Sequence, residues 1–337
     1  MSTFGIGIGV WPARGRRLFP GLLACAVVAA ASTFLSQHYG APVMLFALLL
    51  GMAMNFLAVE GPCVPGIEFG ARQLLRVGVA LLGLRITLAD VVALGWQPVV
   101  LVAVSVVVTI SLAMLAARAL GFQPLFGLLT GGATAICGAS AALALAAALP
   151  AHAQKERATL FTVIGISALS TLAMVAYPMI ARWLGMDERT AGIFLGATIH
   201  DVAQVVGAGY SLSHQTGDVA TMVKLMRVAM LLPVIVFAVS FTRSGAARGT
   251  PRPPLLPWFA VAFALLVALN STGCVARPVQ ALGSDVSRWC LVIAIAGIGM
   301  KTQLKDVASV GLKPIALMVG ETLFLAALVL ALLHLHL

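Results

Sequence analysis

Three ionisable residues stand where charge is costly. His200 and Asp201 lie inside the apolar stretch 190–213, with Gln204 one turn on, and Glu321 lies deep in a second stretch, within VGETLF. Ionisable side chains in a membrane interior mark ion pathways, proton relays or structural pairs. Asp201 could take up a proton or pair with a substrate-bound cation. His200 could titrate near neutral pH. The two are expected to point apart, because neighbours on a helix differ by about 100° around its axis, and Asp201 is expected to be the more critical. Their structural alternative is a buried hydrogen-bonded pair nearer the membrane surface. Glu321 is either a proton carrier or half of an ion pair with Lys224, Arg227 or Arg76.

A second chemistry is carried by backbone. Leu129–Pro150 reads LTGGATAICGASAALALAAALP, inside an uncharged run from Ala119 to Ala151. Gly131, Gly132 and Gly138 weaken a helix, and Thr134, Cys137 and Ser140 add small polar groups. From Ala139 the run is nearly all Ala and Leu, strong helix formers. The expectation is a half-helix, an unwound hinge over Gly131–Gly138, and a second half-helix starting near Gly138–Ser140. Non-helical backbone at membrane depth persists only where protein or a water-filled cavity satisfies it. A half-helix N-terminus facing such a cavity binds anions. The candidate substrate-binding residues are therefore Gly131, Gly132, Thr134, Cys137, Gly138 and Ser140, joined by Thr198 and Gln204 from the second stretch. The rival reading is an unbroken helix whose small residues permit close packing.

These residues need a membrane around them. Hydrophobic residues are 61% of the 337 and charged ones 9%, against about 25% charged in a soluble domain. The chain is expected to be an all-α polytopic membrane protein of about 11 spans. The spans are placed at 18–36, 41–59, 68–86, 91–117, the broken stretch, 155–181, 190–213, 220–241, 256–272, 279–300 and 308–333. Residues 1–17 form a cytoplasmic tail, and 18–337 one transmembrane domain. The segment Arg243–Pro257 is the most loop-like. The net charge of +10 fits cationic loops on anionic lipid, not nucleic acid. Fourteen of the 21 Lys and Arg residues fall inside if the N-terminus is cytoplasmic and the C-terminus outside; Lys224 and Arg227 are counted among those outside. Arg72 and Arg76 are expected to snorkel. Five scattered cysteines without a CxxC point to no metal or disulfide framework. Cys25 follows Leu-Leu-Ala as in a lipoprotein signal, but the apolar run continues to Leu35, so a retained span is expected. No cofactor is expected, and no catalytic motif such as GxSxG, HExxH or a P-loop is present, so an enzyme is not expected.

Gly83–Pro98, GLRITLADVVALGWQP, matches Gly299–Pro314, GMKTQLKDVASVGLKP, at six positions. Seven spans apart, the copies should point in opposite directions, which makes an inverted repeat, the basis of alternating access. Asp90 and Asp306 are expected to cap helices. GAT recurs at Gly132–Thr134 and Gly196–Thr198, at a different offset.

Taken together, GGATAICGASAALALAAALP, GATIHDVAQVVGAGYS and GMKTQLKDV resemble the YeiH-like family of bacterial inner-membrane proteins, labelled sulfate exporters. The resemblance runs over nearly the whole chain. It implies export of sulfate, sulfite or a related sulfur anion, and a fold similar to sodium/proton antiporters and bile-acid symporters, with inverted repeats and two helices broken where they cross. The function expected is a secondary active transporter of a small sulfur-containing anion, an organosulfonate included, coupled to H⁺ or Na⁺. A homodimer is among the assemblies expected. A cation/proton antiporter using Asp201 is the alternative, followed by a channel or membrane sensor.

Overall fold

A computed structural model describes residues 10–39, 42–149, 155–242, 258–302 and 312–335. Every regular element among them is helical, as lipid requires of a spanning chain whose backbone must satisfy itself. In order these are α1 (Val10–Tyr39), α2 (Val43–Ala53), α3 (Val64–Phe69), α4 (Leu75–Leu82), α5 (Leu88–Ala93), α6 (Gln97–Ala119), α7 (Pro124–Ala135), α8 (Ala139–Ala148), α9 (Lys155–Trp183), α10 (Glu188–Thr198), α11 (Val202–Leu212), α12 (His214–Ala229), α13 (Leu231–Thr242), α14 (Trp258–Ser271), α15 (Arg277–Lys301) and α16 (Leu312–His334). Among the described residues, six candidate spans are long and apolar enough to cross a membrane: Gly15–Tyr39, Gln97–Ala119, Arg157–Trp183, His214–Ala238, Arg277–Lys301 and Leu312–His334. The chain is thus a multi-pass membrane protein.

Helix ends follow local chemistry. Thr87 and Asp90 form a reciprocal capping box on α5, so Asp90 works at a cap with Thr87 as the N-cap itself. Asp187 caps α10 and Ser213 caps α12. Gly121, at φ +84°, closes α6 while Phe122 N–H reaches back to Ala117 O at 2.8 Å. Asp306, the segment 243–257 and the middle of the second repeat copy lie outside the described residues. α1 begins at Val10, inside the stretch read as a tail.

The chain divides into two compact units. The first holds residues up to Gly78 and Asp285–Thr302. Its helices touch at glycines: a Cβ on Gly21 would lie 2.0 Å from Cys63 O, and one on Gly51 would lie 2.4 Å from Ala296 O. Such contacts bring backbones together where lipid supplies no hydrophobic drive. A π-helical turn, Gly70–Leu74, joins α3 to α4, and exposed Arg72 pairs with Glu68 at 2.9 Å.

The second unit carries the candidate site. α12 packs on α10 and α11, α6 lies along α7, and α16 lies against α6, α7, α9 and α10. Gly127 and Gly131 face α6: Cβ atoms there would lie 2.4 Å from Ala113 O and 2.4 Å from Ala113 Cβ. By contrast, Gly320 on α16 has nothing within 4 Å of its Cβ position. Gly127→Ala should therefore lower the melting temperature of detergent-purified protein, at a cost of about 1–3 kcal/mol for overpacking. Gly320→Ala should be neutral or gain up to about 1 kcal/mol from helix propensity.

Candidate functional site

Two helices of the second unit are broken. α7 stops at Ala135, and Ile136, Cys137 and Gly138 lead into α8. Gly138 is the N-cap of α8 at φ +65°, ψ −131°, where an L side chain is strained. The second break, Ile199–Asp201, separates α10 from α11, with Ile199 and Asp201 extended. The breaks touch: a Cβ on Gly138 would lie 3.6 Å from the His200 carbonyl carbon and 3.7 Å from Asp201 Cβ. The ends of α7 and α10 thus come together, and so do the starts of α8 and α11.

The converging C-termini would leave carbonyls orphaned in a low-dielectric interior. Two cations of α12 close them. Lys224 Nζ donates to Ile136 O at 2.7 Å and Ile199 O at 2.8 Å, one carbonyl from each broken helix. Arg227 Nε donates to Ala135 O at 2.8 Å, Nη2 to Thr134 O at 2.8 Å, and Nη1 to Gly196 O at 3.2 Å and Ile199 O at 3.0 Å. Both residues are 0% exposed. Spaced three apart, they share one face of α12. The charges also oppose the negative ends of two helix dipoles.

On the other side, Glu321 of α16 holds α7 through hydroxyls. Thr130 Oγ1 donates to its Oε1 at 2.7 Å and Thr134 Oγ1 to its Oε2 at 3.0 Å. Among the described residues it forms no ion pair, with Lys224, Arg227, Arg76 or any other cation, so of the two sequence readings the structural pair is absent. His200 is fully buried between Thr134 O and Thr322 Oγ1, each 3.0 Å away from a ring nitrogen. The Thr134 carbonyl only accepts, so Nδ1 carries the hydrogen. The single hydroxyl hydrogen of Thr322 then goes either to Nε2 or to Met318 O, at 2.8 Å. Asp201 N–H donates to Ser170 Oγ at 3.0 Å. Asp201 and Ala139 are half-buried as residues and Ser140, in the first turn of α8, is exposed, so this edge is the least covered part of the crossing.

Several expectations change. The hinge is Ile136–Gly138 alone. Gly131 and Gly132 are helical and serve packing, Gly132 against Leu145 Cδ1, so the close-packing reading holds for that half of the stretch. His200 and Asp201 sit in the break rather than 100° apart on a helix. Lys224 and Arg227 are not outside at all: α12 starts at His214, so Lys224 lies about 15 Å along it. Thr134 joins the crossing. Cys137 is buried and accepts a hydrogen bond from Ser140 Oγ, which also lies 2.9 Å from Cys137 O. Thr198 turns back onto Phe194 O. Gln204 is buried in the first turn of α11, its Oε1 without a partner among the described residues. Thr130, Ser170, Thr322, Lys224 and Arg227 were missed as site residues. The sequence signal for the cations is KLMR, two charges at i, i+3 inside one apolar helix.

A family model described as "Conserved hypothetical protein 698" matches residues 20–318. A UPF0324 membrane protein of Chlorobaculum tepidum is 56% identical over 93% of this chain and 88% of its own. The UPF0324 membrane protein TauZ of Paracoccus denitrificans is 53% identical, covering 96% of this chain and 97% of its own. A UPF0324 membrane protein of Pseudomonas aeruginosa is 32% identical over 94% of each.

Arg227→Met should leave the Ala135 and Gly196 carbonyls without this donor, at about 1–3 kcal/mol for each group left unsatisfied, while Thr134 O keeps His200 and Ile199 O keeps Lys224. The expected result is a large drop in melting temperature in detergent. Arg227→Lys, with one ammonium and no fork, should recover only part of it.

Proposed function

Because the chain belongs to the UPF0324 family of membrane proteins, and because two buried cations close its broken-helix crossing, we propose that it is a secondary active transporter of a small sulfur-containing anion, working as an exporter. The observation that carries this reading is the Lys224–Arg227 pair, 0% exposed beneath an open half-helix N-terminus. The first-turn N–H groups of α8 have no intrahelical acceptor, and Ser140 adds a hydroxyl. Positive charge beneath and a helix N-terminus in front suit sulfate, sulfite or an organosulfonate. The groups at this edge are of the kind that bind an ion, which favours transport.

The two breaks meet C-terminus to C-terminus and N-terminus to N-terminus. That arrangement supports an inverted repeat and a kinship with sodium/proton-antiporter and bile-acid-symporter folds. Adding α2, α3–α4, the two broken pairs and α14 to the six long helices gives about eleven passes. The membrane is then the bacterial inner membrane, with the N-terminus in the cytoplasm and the C-terminus outside. Asp201, at the open edge, carries the proton that couples the cycle. His200 and Glu321 support it through the bonds they make to α7.

Saturable, counterflow-competent uptake of labelled sulfate or sulfite into proteoliposomes is the test. Absence of uptake for sulfate, sulfite and taurine alike would remove the anion reading. Gly138→Leu should abolish transport while the protein still inserts, because the N-cap of α8 cannot be held at φ +65° by leucine without strain. Asp201→Asn should keep the fold and lose the pH dependence of uptake, whereas His200→Gln should only move the optimum. An unchanged profile in Asp201→Asn would make Asp201 structural.

A further inference from the structure

In transporters with discontinuous helices, unwound carbonyls and half-helix C-termini are where a coupling metal cation is coordinated. Here those oxygens are taken. Thr134 O, Ala135 O and Ile136 O at the end of α7, and Gly196 O and Ile199 O at the end of α10, all accept from α12. Lys224 Nζ bridges one carbonyl from each broken helix, the position a bridging metal ion would occupy. We infer that Lys224 and Arg227 are a resident replacement for the coupling cation, so that the protein works without Na⁺. The inference rests on the crossing being the transport site, and it removes Na⁺ from the two coupling ions the sequence left open.

Three points support it. An ammonium or guanidinium donates hydrogen bonds, and a metal ion needs free lone pairs; lone pairs from both helix ends are already engaged by donors. Both cations are completely buried, so a hydrated ion has no room beside them. These two positive charges oppose the entry of a third. Asp201 and Glu321 are the nearby carboxylates. Glu321 is enclosed by two threonine hydroxyls, and Asp201 stands in the same break as Ile199, whose carbonyl both cations hold.

The test uses Na⁺ itself as probe, on purified full-length protein in detergent with chloride and ionic strength held constant. Wild-type melting temperature should be the same in NaCl and in choline chloride. Lys224→Ala opens the bridging position and frees the Ile136 carbonyl, and it should gain what the wild type lacks. Raising Na⁺ from zero to about 100 mM should lift its melting temperature by about 2–4 °C, with no response to choline. A Na⁺-specific rise in the wild type overturns the inference, and so does a folded Lys224→Ala protein indifferent to Na⁺. If Lys224→Ala does not fold, the wild-type titration still decides, together with proteoliposome uptake in Na⁺-free buffer. Uptake that requires a Na⁺ gradient would also overturn it. Because the titration contains no sulfur anion and chloride is constant throughout, a failure of anion uptake alone strikes the transport reading and leaves this result standing.

Discussion

A carbonyl at membrane depth must have a donor. α7 and α10 both stop with their last residues buried, and the surrounding helices of the second unit meet that need. Six bonds from Lys224 and Arg227 do so. Burying two cations would be ruinous without partners, and breaking two helices would be ruinous without donors. Each defect is tolerated because the other is present. The packing of α12 against α10 and α11 sets the register that brings the defects together.

Thr134 shows how tightly this is joined. Its carbonyl meets both Arg227 and His200, and its hydroxyl reaches Glu321. One residue thus connects the tip of α7 to α12, to the second break and to α16. The crossing is a block with little freedom to change shape internally. Its least covered edge is formed by exposed Ser140 with half-buried Ala139 and Asp201.

The family, the membrane class and the existence of two breaks were legible in the sequence. Gly138 was readable because a glycine ahead of an Ala/Leu run is a natural N-cap. Gly131 and Gly132 were misread because membrane glycines serve either to break a helix or to let another helix approach, and composition does not separate the two uses. The Cβ contacts with Ala113 and Leu145 do. The second break contains no glycine: Ile199–His200–Asp201 is held open by Lys224, Arg227, Thr134 and Thr322, partners distant in sequence. Lys224 and Arg227 were assigned to a water-facing end by charge counting, which treats every cation as loop. The expected span began at residue 220, whereas Ser213 caps the helix at His214, with Thr216 N–H donating to Ser213 Oγ at 3.0 Å.

The placement of the cations on α12 also has a consequence for biosynthesis. A lone Lys or Arg at the centre of a translocating segment costs about 2.5–3.5 kcal/mol on an insertion scale. The carbonyls that offset this belong to α7 and α10, which leave the ribosome earlier. When α12 emerges, its acceptors already exist, and the strongly apolar residues up to Ala238 follow to carry the segment in. α16 arrives last, so Glu321 closes onto a crossing assembled before it. The vectorial order of the chain is thus matched to the order in which its charges need partners.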